Sequence, residues 1–217
     1  MPSVEGLRLK IRNNIYIPLT CNLKNKKLLN KEFTIISNNC WGGTVYEAYN
    51  LQKQSPTVGM FFMADDYIKF ISNLEEYLQA ELQFINPLET KWKSFVEKDQ
   101  RFGRYPVGRL NDIEIHFLHY QNEKEAMQKW KRRIRRINWE HLLIKFNDQN
   151  GCTERNLREF CKLPYKNKIF FTCKDWGIQD DVIKKIHQSS GEDHILASYE
   201  PFGKTKEIDI TKVLNSL

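Results

Sequence analysis

The sequence predicts an α/β protein, with a mostly parallel sheet of about five strands and helices on both faces in a Rossmann-like three-layer arrangement. Three observations lead there. Five short β-rich runs recur along the chain: "FTIIS" (33–37), "TVGMFFM" (57–63), "DIEIHFL" (112–118), "LLIKF" (142–146) and "KIFFT" (168–172). Segments of helical period lie between most of them, at 44–53, 66–80, 122–137 and 153–162. Several runs are almost continuously apolar, as expected for strands buried on two sides.

The remaining stretches are assigned by exclusion. Residues 1–30 are rich in Lys and Arg and contain "IYIPLT", which reads as a basic arm or edge element, strand or helix. Residues 31–217 form a single α/β domain, with an insertion around 86–111, "NPLETKWKSFVEKDQRFGRYPVGRLN". That insertion reads as a helix at 88–98 followed by a Gly/Pro-rich loop. Long loops in compact domains commonly serve a site, and this one is read as a lid or substrate-binding insertion.

Composition narrows the classes. The 217 residues are 41% hydrophobic and 12% aromatic, enough to pack a core. The formal charge of +7 points to an anionic partner such as nucleic acid, membrane or phosphorylated substrate. Five cysteines without a CxxC pair argue against a disulfide framework and a zinc ribbon, and no metal site is expected. The start lacks the apolar core of a secretory signal, and no apolar run approaches the ~20 residues that span a bilayer. The expected setting is cytoplasmic, extending to the inner face of the membrane.

In an open parallel sheet, ligands bind beyond the carboxyl ends of the strands. After the first strand come Ser37, Asn38, Asn39, Cys40, Trp41, Gly42 and Gly43; after the second, Asp65, Asp66 and Tyr67; after the third, His119; after the fourth, Asn147, Asp148 and Asn150. A cysteine at a helix start sees the positive end of the helix dipole, which favours a nucleophilic thiolate. Free cysteine is also among the most buried residue types, so Cys40 has a simple packing alternative. Gly42 and Gly43 allow backbone N–H groups close to an oxyanion or phosphate, and Asn39 adds a side-chain donor.

Strand alternation puts Ile113, Ile115, Phe117 and His119 on one face, with His119 nearest the carboxyl end and His116 in a structural position mid-strand. His119 is therefore the candidate base for Cys40. Asp65 reads first as a helix N-cap; the alternative is that Asp65 or Asp66 orients groups in the site or binds a sugar hydroxyl. Thr153 is expected to cap the next helix, with Asn156 three residues on. "KWKRRIRRINW" reads as an outer helix with one apolar stripe, or as a contact for anionic lipid. No nucleic-acid reader motif is present, and nucleic acid is not an expected partner.

The segments "FTIISNNCWGG", "SPTVGMFFMADDYIKFISNLEEYL", "YPVGRLNDIEIHFLHYQNEKEAMQKWKRRIRRI" and "FNDQNGCTERNLREFCKLPYKNKIFFT" resemble, in matching order over roughly residues 30–205, a bacterial family grouped as a domain of unknown function. Its members occur in exopolysaccharide and capsule biosynthesis clusters. The resemblance implies an α/β domain and a role in making or decorating a surface polysaccharide; it brings no established reaction. The turn Asn38-Asn39-Cys40-Trp41 is also similar to the Gly-Asn-Cys-Gln turn of some capsule acyltransferases, sharing only its Asn-Cys pair.

These readings converge on an acyltransferase that modifies a sugar or lipid-linked sugar. Cys40 or Ser37 is the nucleophile, His119 the base, Asn39 and the Gly42–Gly43 backbone the oxyanion donors. No tightly bound cofactor is expected; acetyl-coenzyme A or a sugar nucleotide would be a co-substrate. Two alternatives stand beside it: a glycosyl- or phospho-sugar transferase with a nucleotide-activated donor, and a non-catalytic assembly partner of a polysaccharide synthase. Anionic membrane is the expected peripheral partner, and the oligomeric state is left open.

Overall fold

The structure, a computed structural model, describes residues 3–217. In chain order its elements are α1 (Val4–Ile11), a π turn (Arg12–Tyr16), α2 (Ile17–Asn25), β1 (Thr34–Ser37), α3 (Trp41–Ala48), α4 (Ala64–Ser72), α5 (Leu74–Gln79), β2 (Gln83–Ile85), a 3₁₀ turn (Pro87–Glu89), α6 (Lys93–Val96), β3 (Val107–Leu110), β4 (Ile113–His116), α7 (Glu123–Ile134), β5 (Leu142–Asn147), α8 (Glu154–Lys162), β6 (Lys168–Thr172), β7 (Ile183–Lys185) and α9 (Ile210–Asn215).

Four strands form a parallel sheet in the order β1-β5-β6-β7, and three form a small antiparallel sheet, β2-β3-β4. Alternation within the parallel strands sorts the core into two layers. Ile36, Ile144, Phe146 and Phe170 pack with α4, α8 and the antiparallel sheet. Phe33, Ile35, Leu143, Ile169 and Phe171 pack with α3, α9 and residues Ile17 and Leu28 of the N-terminal region. Both sheet faces are covered, which is the three-layer arrangement the sequence predicts. A fully buried Phe such as Phe146 contributes about 1.5–3 kcal/mol of transfer free energy.

Two strand assignments change, and three strands are additional. The run at 57–63 is buried but is not a strand. It passes between the two sheets, with Phe62 N–H donating to Asn38 O at 2.9 Å while Phe61 and His116 form one isolated bridge. Gly59, at φ +82°, turns the chain there, so the run cannot extend a regular ladder. The run at 112–118 supplies β4, which belongs to the antiparallel sheet rather than the parallel one. β2, β3 and β7 have no apolar run long enough to mark them.

The helices follow their signals more closely. Thr153 caps α8 in a reciprocal capping box with Asn156. Asp65 is not a cap, because α4 begins one residue earlier with Met63 at the N-cap; Asp65 accepts from Asn156 Nδ2 at 2.7 Å and ties α4 to α8. The insertion's helix shrinks to the 3₁₀ turn and α6. On α7 the apolar stripe packs inward as expected, but Arg133 goes with it, donating to Tyr120 Oη (2.7 Å) and Val58 O (3.1 Å).

The N-terminal region is helical from residue 4 to 25. Pro18 lacks an N–H and would clash with the carbonyl four residues back in a regular helix. The wider π turn at Arg12–Tyr16 sits just before it and relieves that clash.

Candidate active site

The C-terminal ends of β1 and β5 lie side by side and carry amide side chains: Asn38 and Asn39 after β1, Asn147 and Gln149 at and after β5. Between them stands Lys145, fully buried on β5. Its Nζ pairs with buried Glu200 and donates to Asn39 Oδ1 at 2.9 Å and Asn38 Oδ1 at 3.3 Å. Glu200 also accepts from Asn39 Nδ2 (3.0 Å) and Asn147 Nδ2 (2.8 Å). Asn38 Nδ2 donates to Asn147 Oδ1 at 2.7 Å, closing the network. Burial pulls the Lys145 pKa down, and Glu200 opposes that shift. The ring of partners is what lets two charges sit in the interior.

Above this network opens a cavity of about 410 Å³. Its wall includes Asn39, Cys40, Gln149 and Glu200 at the floor, Arg12 from the π turn, Arg101 and Asp99 from the 86–111 insertion, and His119. A larger hollow of about 630 Å³ lies at the other end of the sheet, around Glu75, Glu140 and Asn167; its carboxylates and Lys166 are exposed, and it holds no histidine, cysteine or buried ion pair. The chemistry therefore selects the smaller cavity. Two of its charge pairs are closed, Asp99 holding Arg101 through a bond of 2.6 Å and Glu200 holding Lys145, while Glu5 accepts from the neutral Ser198. Arg12 donates to Ala197 O at 2.9 Å.

Cys40 and His119, paired in the sequence reading, line this same cavity. Their electrostatics differ from that reading. Burial pushes the Cys40 thiol up to about 12, and Glu200 adds to the effect. Desolvation outweighs the helix start, so Cys40 is a neutral thiol at pH 7 whose Sγ lies 3.8 Å from Met60 O. The His119 pKa is lowered by partial desolvation and then by Arg101, so its imidazole is neutral at pH 7. It follows the end of β4 on a turn and reaches the cavity from there, not by strand alternation.

Other predicted site residues have structural tasks. Ser37 Oγ donates to Asn39 O at 2.7 Å and accepts from Gly42 N, so it shapes the turn and is not placed as a nucleophile. A Cβ on Gly42 would meet Ser37 Oγ at 3.1 Å, and one on Gly43 would meet Val58 Cγ1 at 3.0 Å. The glycines thus let α3 pack closely against its neighbours, and neither lines the cavity. Asp66 is buried and accepts from Lys91 Nζ (2.7 Å), Trp92 Nε1 (2.6 Å) and Glu114 N (2.9 Å). It fastens the insertion to β4 and lies outside the cavity lining. Tyr67 Oη reaches Ile36 O (3.0 Å) and Lys145 O (2.8 Å), bridging β1 and β5. Asp148 accepts from Thr172 Oγ1 and from Ile195 N, fixing the loop after β6. Asn150 lines the cavity and donates to Phe62 O at 3.0 Å.

Sequence reasoning passed over Lys145, Glu200, Arg12 and Arg101. Lys145 had a visible signal, a lone cation within the apolar run "LLIKF". Glu200 had none, since it reaches the site from an irregular stretch late in the chain.

The family described as a domain of unknown function (DUF1919) matches residues 11–215 of this chain. An uncharacterized protein from Haemophilus influenzae strain Rd is 36% identical over 151 residues, covering 70% of this chain and 66% of its own length. Among the described residues, no helix is long and apolar enough to cross a membrane.

Proposed function

We propose, for a chain that belongs to the DUF1919 family of domains of unknown function, a transferase of bacterial surface-polysaccharide assembly that passes an acyl group to a sugar hydroxyl. The observation that carries this reading is a neutral His119 at the edge of a cavity with an amide and carboxylate floor, Asn39, Gln149 and Glu200. Such a floor offers acceptors and donors to sugar hydroxyls, and Phe61 in the wall offers an apolar face to a sugar ring. The paired charges of Lys145 and Glu200 at the floor suit a polar, uncharged moiety there. Arg12 and Arg101 are placed to meet phosphates of a donor such as acetyl-coenzyme A. The resemblance of residues 30–205 to proteins of exopolysaccharide and capsule clusters supports that biological setting.

The chemistry runs by direct transfer. His119 takes the proton of the sugar hydroxyl, the oxygen attacks the acyl carbonyl, and the donor thiolate leaves and is protonated. The neutral thiol of Cys40 is not needed as a nucleophile. The expected pH profile follows from the lowered His119 pKa: activity holds down to below 6.5 and falls once the imidazole is protonated.

Thermal unfolding with acetyl-coenzyme A, coenzyme A and sugar nucleotides tests the donor. A ligand at a hundredfold excess over its dissociation constant adds about 2.7 kcal/mol. The expected result is stabilisation by the coenzyme A species. His119→Gln should then cut acyl transfer by about 10²–10⁴ with the fold intact, while Cys40→Ala leaves it within a few-fold. Loss of transfer in Cys40→Ala would restore a covalent route. Stabilisation by a sugar nucleotide alone would move the assignment to glycosyl or phospho-sugar transfer, which the two arginines would also serve.

A further inference from the structure

We propose that the outer face of the N-terminal helical region, residues 4–25, docks this protein on an anionic membrane surface. The region has two faces. The inner one carries Leu9, Arg12 and Ile17, which meet the cavity wall or the core. The outer one carries Val4, Leu7, Ile11, Ile15, Leu19 and Leu23, all exposed. Leu7 is 52%, Leu19 74% and Leu23 62% accessible, which is unusual for six large apolar side chains at steps of three and four. An α-helix alone would let a stripe of this spacing drift around its axis. The π turn at Arg12–Tyr16 inserts an extra residue into the winding and brings Ile15, Leu19 and Leu23 back into line with Val4, Leu7 and Ile11.

Charge selects the occupant. Residues 6–31 contain seven basic residues and no acidic one. Arg8, Lys10, Lys26 and Lys27 are exposed beside the apolar stripe. Glu5, just before, is turned inward and accepts from Ser198 N at 2.9 Å. An exposed apolar row with a purely cationic border is complementary to lipid headgroups of negative charge, with the side chains entering the headgroup boundary. A second copy of the chain would bring the same cations against one another, and symmetric pairing is disfavoured on that ground. A helix of this length lies along the surface and does not span it, consistent with its alternation of Lys and Arg with Leu and Ile.

The placement has a consequence for the cavity, which rests on the transferase reading given above. Leu9, Arg12 and Asn13 are cavity wall, so a docked helix sets the cavity beside the lipid surface. A lipid-linked sugar would then be the acceptor, its sugar reaching the amide floor while its lipid stays in the bilayer. Docking itself stands without that reading.

Vesicle co-sedimentation of the full chain separates the outcomes. Vesicles of phosphatidylcholine alone and of phosphatidylcholine with phosphatidylglycerol are compared at low and at 0.5 M salt. Binding to the anionic vesicles only, weakened at least tenfold by high salt, is expected. L7S/L19S/L23S lies on the outer face, so its circular dichroism and melting should match the parent while vesicle binding falls tenfold or more. K10E/K26E/K27E, a second variant that leaves the apolar row intact, should lose anionic selectivity. Absence of binding to anionic vesicles, or binding unchanged in both variants, would overturn the proposal. A concentration-dependent dimer by light scattering that L7S/L19S/L23S abolishes, without vesicle binding, would assign the face to a second copy instead. Failure of acyl transfer with vesicle binding retained would sink the transferase reading and leave docking in place.

Discussion

Glu200→Ala is expected to destabilise the protein by about 3–5 kcal/mol, because it leaves a buried cation without its counter-charge. Lys145 has no exposure to solvent, and Glu200 almost none. Without the carboxylate, only Asn38 and Asn39 oxygens would remain to satisfy the ammonium. Burial already lowers the Lys145 pKa with Glu200 opposing it, so removing Glu200 lowers it further. A lysine whose folded pKa is depressed stabilises the fold less as pH falls. Raising the pH toward the unfolded lysine range should therefore recover part of the loss in the variant. The cost of Lys145→Met plus Glu200→Leu should be well below the sum of the single variants, since an ion pair replaced as a unit leaves no orphan charge. Urea unfolding of the parent, both single variants and the double variant measures the coupling. Additive losses would mean that the two residues contribute independently.

The second large effect is acid sensitivity through His116. Its ring is buried, stacks on Phe61 with centroids 4.5 Å apart, and meets Tyr105 edge-on at 5.9 Å. Neither ring nitrogen has a hydrogen-bond partner. Burial lowers the pKa from 6.5 to about 4, with Glu114 opposing. The folded state therefore keeps this imidazole neutral while the unfolded chain takes up a proton below pH 6.5. Its stabilising contribution is whole above that pH and is lost as pH falls from 6.5 toward 4, about 3 kcal/mol in all. Between pH 7.5 and 5 the loss is about 2 kcal/mol. His116→Phe keeps a ring against Phe61 and removes the titration, so its unfolding free energy should change less with pH by that amount. An identical pH slope in the two proteins would refute the assignment.

The sequence made the local parts of this fold readable and hid the non-local ones. β1, β5 and β6 stood out because each is an apolar run bounded by polar turns. The paired capping groups Thr153 and Asn156 were equally visible, being three residues apart. The 57–63 run misled because burial on both sides mimics a strand, whereas its backbone partners lie on two different sheets. The site was partly legible for the same reasons. Asn39, Cys40, His119 and Asn150 were found because they follow apolar runs, and they do share one cavity. Asp66 and Tyr67 follow such a run too, but their partners, Lys91, Trp92 and the carbonyls of Ile36 and Lys145, come from elsewhere in the chain. Glu200 and Arg101 enter from irregular segments whose placement only the tertiary structure decides.

The parallel sheet places β1 beside β5, pairing Thr34 with Leu142, while β5 and β6 are joined by a single short helix. Closing the longer connection costs more chain entropy before any contact rewards it, so the β5–α8–β6 unit should assemble first and β1 join late. Pulse-labelling hydrogen exchange during refolding should show the amides of Ile144 and Asp148, which donate to Asn167 O and Phe171 O on the β6 side, protected before that of Thr34, which donates to His141 O; the reverse order would refute this sequence of events. Asn38, Asn39 and Cys40 are carried by the end of β1. The cavity thus comes into being at the last step of folding, and a partly folded chain, however well formed its remaining strands, would have no binding site to offer.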